Sequence, residues 1–229
     1  MKRKMIAVIP ARGGSKRIPK KNIKDFCGKP IIAYSIEAAL ESKVFDEVMV
    51  STDSEEIAEV AREYGANVPF MRSEKNADDY ATTNDVLKEV LMEYEKRGQH
   101  FDVVVCIYPT APFVTADKLK KAINILDKEE ADAVTPVVRF SYPPQRAFVL
   151  RNGLLEYEFP QYKTTRSQDL EPIYHDCGQF YVMKVSDILN DVVNRKTIPY
   201  IVSELEVQDI DNEEDWKIAE MKYRMFKTN

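Results

Sequence analysis

The segment Pro10-Ala11-Arg12-Gly13-Gly14-Ser15-Lys16-Arg17-Ile18-Pro19-Lys20-Lys21-Asn22 packs five cations and two adjacent glycines into a loop directly behind the apolar run from Met5 to Ile9. Glycines let backbone N–H groups approach an anion closely, and Lys and Arg supply neutralising charge, so this composition suits a polyphosphate. Residues 1–29 hold ten Lys or Arg against one acid, Asp25, in a chain of formal net charge −5. The local field is therefore positive against the overall balance. A solvated surface run could carry the same charge; what argues for a ligand is its coincidence with a strand end, paired glycines and flanking prolines. The pattern is neither G-x-x-x-x-G-K-[ST] nor G-x-G-x-x-G, which sets aside a P-loop kinase and a dinucleotide-dependent oxidoreductase.

A second constellation stands near the other end of the chain, at Gln208-Asp209-Ile210-Asp211. In an extended run, side chains two apart share a face, so Asp209 and Asp211 project together and can hold Mg²⁺, with Mn²⁺ as the alternative. The competing reading is that Asp211 caps a helix beginning near Asn212. Asp53-Ser54-Glu55-Glu56 presents the same choice: Asp53 fits a helix cap, or a place beside a ligand at a strand's end.

The elements that must position these groups are legible as alternation. Lys4 to Pro10, Glu47 to Ser51, Val103 to Tyr108 and Ala133 to Val138 read as strands covered on both faces. Ile31 to Ser42, Glu55 to Tyr64, Thr83 to Arg97 and Ala116 to Glu130 carry apolar residues at helical spacing. The series predicts an α/β fold, a Rossmann-like, mostly parallel sheet flanked by helices. Ligands of such sheets lie beyond the carboxyl ends of the strands, where the cationic loop falls. After Val138 an Asn152-Gly153 turn between apolar segments predicts a hairpin, and the polar, aperiodic stretch from Phe159 to Tyr174 predicts an insertion over about 140–176 within one domain spanning 1–229. Gly178 to Lys184, Ile198 to Val202 and Val207 to Ile210 read as further strands, and Asn212 to Met225 as a closing helix.

Composition narrows the function classes. Three cysteines, Cys27, Cys106 and Cys177, without C-x-x-C spacing, argue against a disulfide framework or structural zinc. The acidic total does not suit a nucleic-acid binder. The apolar stretch behind the basic N-terminus is too short for a secretory leader, and no run approaches a membrane span, so a cytoplasmic protein with no membrane partner is expected.

The loop PARGGSKRIPKKN, Gly28-Lys29-Pro30-Ile31-Ile32-Ala33-Tyr34-Ser35-Ile36, Val50-Ser51-Thr52-Asp53-Ser54 and Asp209-Ile210-Asp211 together resemble the CMP-sialic acid synthetases over nearly the whole chain. Tyr142-Pro143-Pro144-Gln145-Arg146-Ala147-Phe148, Thr165 to Pro172 and Tyr174 to Tyr181 look most like the branch acting on pseudaminic acid. The resemblance implies a cytidylyltransferase that joins CTP to a nonulosonic acid, releasing pyrophosphate, for cell-surface glycan or flagellin glycosylation. It implies that Arg12, Lys16 and Lys21 contact the triphosphate, within a nucleotide site of Ala11, Arg12, Gly13, Gly14, Ser15, Lys16, Lys21, Asn22, Arg72, Ala81, Thr82 and Thr83. Arg72 also reads as a surface charge and Thr82 as a helix N-cap. Tyr108, Arg166, Gln168, His175, Asp176, Gln179 and Tyr181 are implied for the sugar, with His175 as sugar contact or general base. Asp209 and Asp211 are implied for the metal. Tyr108-Pro109-Thr110-Ala111-Pro112 and His175-Asp176-Cys177-Gly178 depart from Gln-Pro-Thr-Ser-Pro and Arg-x-Asn-Gly of the sialic acid enzymes, which points to another nine-carbon 2-keto sugar acid. The insertion is implied to form a homodimer. N-acetylneuraminate, legionaminate and 3-deoxy-manno-octulosonate remain alternative acceptors. A sugar-1-phosphate nucleotidylyltransferase would share the phosphate logic, and a non-catalytic nucleotide-binding regulator stands as the alternative of a different class.

Overall fold

The apolar runs without polar alternation form the centre of one sheet, because strands covered on both faces need apolar side chains on both. The computed structural model describes residues 3–192 and 195–227. In chain order the elements are β1 (Met5–Pro10), β2 (Asp25–Phe26), β3 (Lys29–Pro30), α1 (Ile31–Ser42), β4 (Glu47–Ser51), α2 (Glu55–Glu63), α3 (Thr83–Lys96) and β5 (Val103–Ile107). There follow α4 (Ala116–Lys128), β6 (Ala133–Arg139), β7 (Phe148–Arg151), β8 (Leu154–Tyr157), β9 (Tyr174–Asp176), β10 (Phe180–Lys184), α5 (Val185–Leu189), β11 (Thr197–Ile201) and α6 (Glu213–Lys227).

The sheet order is β11-β6-β10-β5-β1-β4, with β9 beside β6. β1 pairs in parallel with β4 and β5, and β11 with β6, while β10 runs antiparallel to both β5 and β6. The inversion has a simple origin. The chain leaves the carboxyl end of β6, makes the insertion, returns through β9 at that same edge, and must run back along the sheet. The amino end of β10 therefore joins the carboxyl ends of β1, β4, β5 and β6 along one edge.

One face packs Ile32, Ile36, Ile57, Leu119 and Leu126 against Ala7, Ile9, Val105 and Ile107. The other packs Leu87, Val90, Leu91 and Ile188 against Ile6, Val8, Val104 and Cys106. A third apolar cluster unites Ile18, Phe26, Ile31, Tyr34, Phe113, Ile210, Trp216 and Tyr223. Phe26 meets Tyr34, Trp216 and Tyr223 edge-on at centroid separations of 5.5–5.6 Å. This cluster fastens the cationic loop to the acidic segment, because Ile18 from one and Ile210 from the other are both 1% exposed within it.

Three expectations change. Residues 207–210 form no strand; α6 and the sheet leave them as an irregular strip. Asp53 does not cap α2, since Ser54 holds the cap position without a side-chain bond and Asp53 is used elsewhere. The stretch from Phe159 to Tyr174, expected to be aperiodic, contains two short 3₁₀ turns and the start of β9. The hairpin is present as read, β7 against β8, with Asn152 and Gly153 at φ 52° and 79°, the two positive φ values of a type I′ turn. No described helix is long and apolar enough to cross a membrane.

Candidate active site

The cationic loop is shaped by bonds reaching it from three sides. Ala11 N–H donates to the Ser51 carbonyl (2.9 Å), Gly13 N–H to Asp53 Oδ1 (2.8 Å), and Asn22 Nδ2 to the Arg12 carbonyl (2.9 Å). A Cβ on Gly13 would stand 3.1 Å from Ser54 Cβ, so any larger residue there would have to push aside Ser54, just ahead of α2. Gly14 and Gly13 are exposed and Ala11 is buried beneath them. The role missed for Asp53 is thus to hold the loop, and the sequence signal for it was its position at the end of β4.

Beside the loop opens a cleft of about 550 Å³ lined by Arg12, Ser15, Lys16, Arg17, Lys21, Asn22, Arg72, Asp79, Ala81, Thr83, Tyr108, Thr110 and Asp211, among others. Residues from both ends of the chain meet in it. Lys21 Nζ donates to the Ile210 carbonyl at 2.7 Å, and Arg17 pairs with Asp211 at 2.7 Å. Burial holds the Lys21 ammonium below the usual lysine range, against the opposing pull of Asp211 and Asp209. Asp79 bonds both Arg12, at 2.6 Å, and Lys16. That bridge holds its carboxyl below the ordinary range, through the Lys16 bond first and the Arg12 bond second. Asp79 and Arg17 were not singled out by sequence. An acid in a polar stretch and one more cation in a basic run carry no periodic signal.

Arg72 is 8% exposed, not a surface charge. Its Nε donates to Ser51 Oγ at 3.0 Å, and its guanidinium also reaches the Ser51 carbonyl. Burial lowers its pKa while Asp53 opposes the shift. A buried cation tied down on one side presents its remaining N–H groups in a fixed direction. Thr82 does cap α3, its side chain accepting from Asp85 N–H in a capping box, and it is Ala81 and Thr83 that line the cleft.

Asp211 does not cap α6. Asn212 does, its Oδ1 accepting from Glu214 N–H (2.8 Å) and Asp215 N–H (3.0 Å), while Asp215 accepts from Asp211 and Asn212 N–H. That frees the Asp211 carboxylate for the cleft. Asp209 lies on the side of Gly178, where a Cβ would stand 3.9 Å from its Oδ1. Its carboxyl is raised above the usual range, chiefly by desolvation and next by the Asp211 charge. Two carboxylates set beside cations that suit phosphate match a hard divalent ion. Among the described residues no group of three or more protein ligands gathers, so other positions would fall to phosphate oxygens and water, the pattern Mg²⁺ favours.

The groups expected for the acceptor divide. Tyr108 lines the cleft, with its hydroxyl 3.2 Å from Thr83 Oγ1 and its ring edge-on to Tyr181 at 5.5 Å. Tyr181 OH donates toward both Asp176 oxygens at 2.8 Å, and Asp176 also accepts from Gly178 N–H. A polar chain therefore runs from the cleft to β9. His175 is exposed, bonds the Asp176 carbonyl through Nδ1 (2.9 Å) and stacks on Phe140. Gln179 is 2% exposed and engaged, its Nε2 donating to the Glu206 carbonyl (2.6 Å) and its own carbonyl accepting from Tyr108 N–H (2.8 Å). Arg166 pairs with Asp169 and Gln168 lines a separate groove with Ser141 and Glu204; of the seven residues expected for the sugar, only Tyr108 lines the cleft.

A family profile described as Cytidylyltransferase matches residues 6–176, spanning the loop, the cleft and the insertion. The chain belongs to the cytidylyltransferase family. This cytidylyltransferase is 42% identical to the pseudaminic acid cytidylyltransferase of Campylobacter jejuni subsp. jejuni serotype O:2, over 97% of each chain. It is 35% identical to the CMP-N,N'-diacetyllegionaminic acid synthase of Legionella pneumophila, over 95% of each. The fold is similar to that of CMP:2-keto-3-deoxy-manno-octonic acid synthetase complexed with CTP, with a TM-score of 0.69 at 18% identity, covering 99% of this chain and 100% of the other. Membership in this family makes the chain a nucleotidyltransferase using CTP, which removes the non-catalytic regulator.

Proposed function

We propose that the enzyme transfers the cytidylyl group of CTP to pseudaminic acid, a nonulosonic acid, giving the CMP-sugar and pyrophosphate. The observation that carries this reading is the full-length similarity to a pseudaminic acid cytidylyltransferase. The site residues are assigned on the cleft's chemistry. In the reaction the anomeric hydroxyl loses its proton to solvent and its oxygen bonds to the α-phosphorus as the bond to the pyrophosphate oxygen breaks. Arg12, Lys16 and Lys21 neutralise the triphosphate and then the departing pyrophosphate; Asn22, Arg72, Ala81 and Thr83 hold the nucleoside. The Gly14 N–H and the Ser15 hydroxyl supply donors to phosphate oxygens, the Gly13 N–H being held by Asp53.

Asp209 and Asp211 would hold Mg²⁺. When bound, that ion supplies charge to the phosphate and lowers the pKa of the attacking hydroxyl. Tyr108, Tyr181, Asp176 and His175 orient the sugar acid. Arg166 and Gln168, being away from the cleft in a single chain, serve it only if the insertion rearranges or a second subunit supplies them. The exposed Phe148, Leu150, Leu154 and Leu155 of the β7–β8 hairpin support a homodimer, because an isolated two-stranded hairpin is marginal in water. We read residues 1–229 as one nucleotidyltransferase domain with about 140–176 as its dimerisation insertion, acting in the cytoplasm without nucleic acid or membrane.

Pyrophosphate release from CTP and Mg²⁺ against pseudaminate, legionaminate, N-acetylneuraminate and 3-deoxy-manno-octulosonate tests the substrate. Pseudaminate should give the highest kcat/KM. A higher value for any other acceptor sinks that assignment while leaving the CTP chemistry intact.

A further inference from the structure

The segment carrying Asp209 and Asp211 has no sheet partner to fix it, yet two carboxylates must keep a set spacing to share one ion. What holds it instead is a series of side chains from other elements. Lys21 reaches the Ile210 carbonyl, and Asp215 receives the N–H groups of Asp211 and Asn212. These account for the strip's far end. Its near end, residues 204–207, is gripped by groups with no part in the chemistry described above. Lys118, on the first turn of α4 and 6% exposed, donates to the Phe113 carbonyl at 3.0 Å and stands 3.3 Å from Glu206 Oε1. Lys222, on α6, donates to the Glu204 carbonyl (3.2 Å) and the Val207 carbonyl (2.7 Å). The Glu206 carbonyl in turn receives Gln179 Nε2, whose backbone carbonyl binds Tyr108 N–H.

A buried lysine is costly without a partner, and solubility alone would place it outside. Burial lowers the Lys118 pKa, and Glu206 opposes the shift. Its bonds connect the loop after β5, which carries Tyr108 and Thr110, to the strip carrying the acids. We propose that Lys118, together with Lys222, is a positioning residue that sets the placement of Asp209 and Asp211 by clamping residues 204–207. Neither lysine lines the cleft. Each acts through backbone and carboxylate groups of the strip, as an outer shell does for metal ligands. The proposal rests on the reading that Asp209 and Asp211 hold the metal.

The test is Mn²⁺ binding to the protein with CTP and no acceptor, followed by the electron paramagnetic resonance of free Mn²⁺. Replacing the half-buried pair by Lys118→Met/Glu206→Met exchanges it for apolar groups of similar size, a change that often preserves stability. This variant should keep native circular dichroism and metal-free CTP binding while weakening Mn²⁺ by about tenfold or more, the usual effect of losing an outer-shell partner. Lys222→Met should shift Mn²⁺ affinity in the same direction and Lys222→Arg should restore it. Native Mn²⁺ affinity in the folded double variant overturns the proposal. If the double variant does not fold, native affinity in a folded Lys222→Met variant overturns it equally. Asp211→Asn in the same titration separates the premise: if it too binds Mn²⁺ normally, the metal assignment fails. If it alone loses the ion, only the clamp fails.

Discussion

Lys21, which lines the cleft, and Ile210 come from opposite ends of the chain and are bonded at 2.7 Å, whereas Leu150, Leu154 and Leu155 of the β7–β8 hairpin are 76%, 67% and 63% exposed. In the first region the loop, the acids and α6 are tied together through the buried aromatic cluster around Phe26, so the groups suited to phosphate are held by the chain itself. In the second, two strands pair with each other and leave leucines exposed on both of their faces, since the adjacent Leu154 and Leu155 point opposite ways. The cationic cleft is thus held in place by bonds and packing within one chain, while the hairpin leaves its apolar side chains uncovered. Electrostatic preorganisation demands fixed charges, and an apolar hairpin demands a partner.

The contrast breaks at its strongest point if the cleft does not catalyse. Asp211→Ala should abolish pyrophosphate release at any Mg²⁺ concentration, and Lys21→Ala should lower kcat by about 10²-fold. Full turnover by the Lys21 variant at saturating CTP and sugar would remove the lysine from the chemistry.

The other half is sharpened by Leu150→Asp/Leu155→Asp. Each leucine contributes about 1.5–3 kcal/mol when buried, so the pair should raise a dimer dissociation constant by about 10²-fold or more. Light scattering should then show a monomer that still binds CTP. A wild-type monomer at micromolar concentration would refute the covered-hairpin reading outright.

A smaller effect concerns the resting charge balance of the cleft. Asp79 occupies the cations that would serve the triphosphate, so Asp79→Asn should tighten CTP by about two- to fivefold, within the range of exposed ion pairs. Isothermal titration would show it, and weaker binding would mean that Asp79 organises Arg12 and Lys16 instead of competing for them.

The smallest effect is on stability. Because the folded state raises the Asp209 pKa, ionised Asp209 is disfavoured in the fold, and its contribution to stability is lost as pH rises through that value. Asp209→Asn should therefore melt slightly higher than wild type at pH 7. The gap should close as pH falls below the ordinary carboxylate value of about 3.9, where Asp209 is neutral in the folded and unfolded chain alike. A variant less stable at pH 7 would show that Asp209 is held by bonds the charge needs.

Much of the architecture could be read from short-range patterns. The buried strands β1, β4 and β5, the helices between them, the Asn152-Gly153 turn and the Thr82 cap all follow from side chains within a few residues of one another. The same local logic misassigned Asp53 and residues 207–210. Asp53 has the spacing of a capping box, yet the N–H of Gly13, distant in sequence, competes for it and wins. The strip before α6 alternates like a strand, but its carbonyls go to Lys222, Lys21 and Gln179 instead of a sheet neighbour.

The cationic loop, the acid pair, the alternation of strands and helices and the apolar hairpin follow from residue type and near-neighbour periodicity alone. That β10 runs backward, that Arg72 is buried on Ser51, that Asp79 bridges Arg12 and Lys16, and that Ile18 and Ile210 share one cluster emerged with the folded chain. Those choices depend on hydrogen bonds and apolar contacts between residues far apart in the chain, which no local pattern encodes.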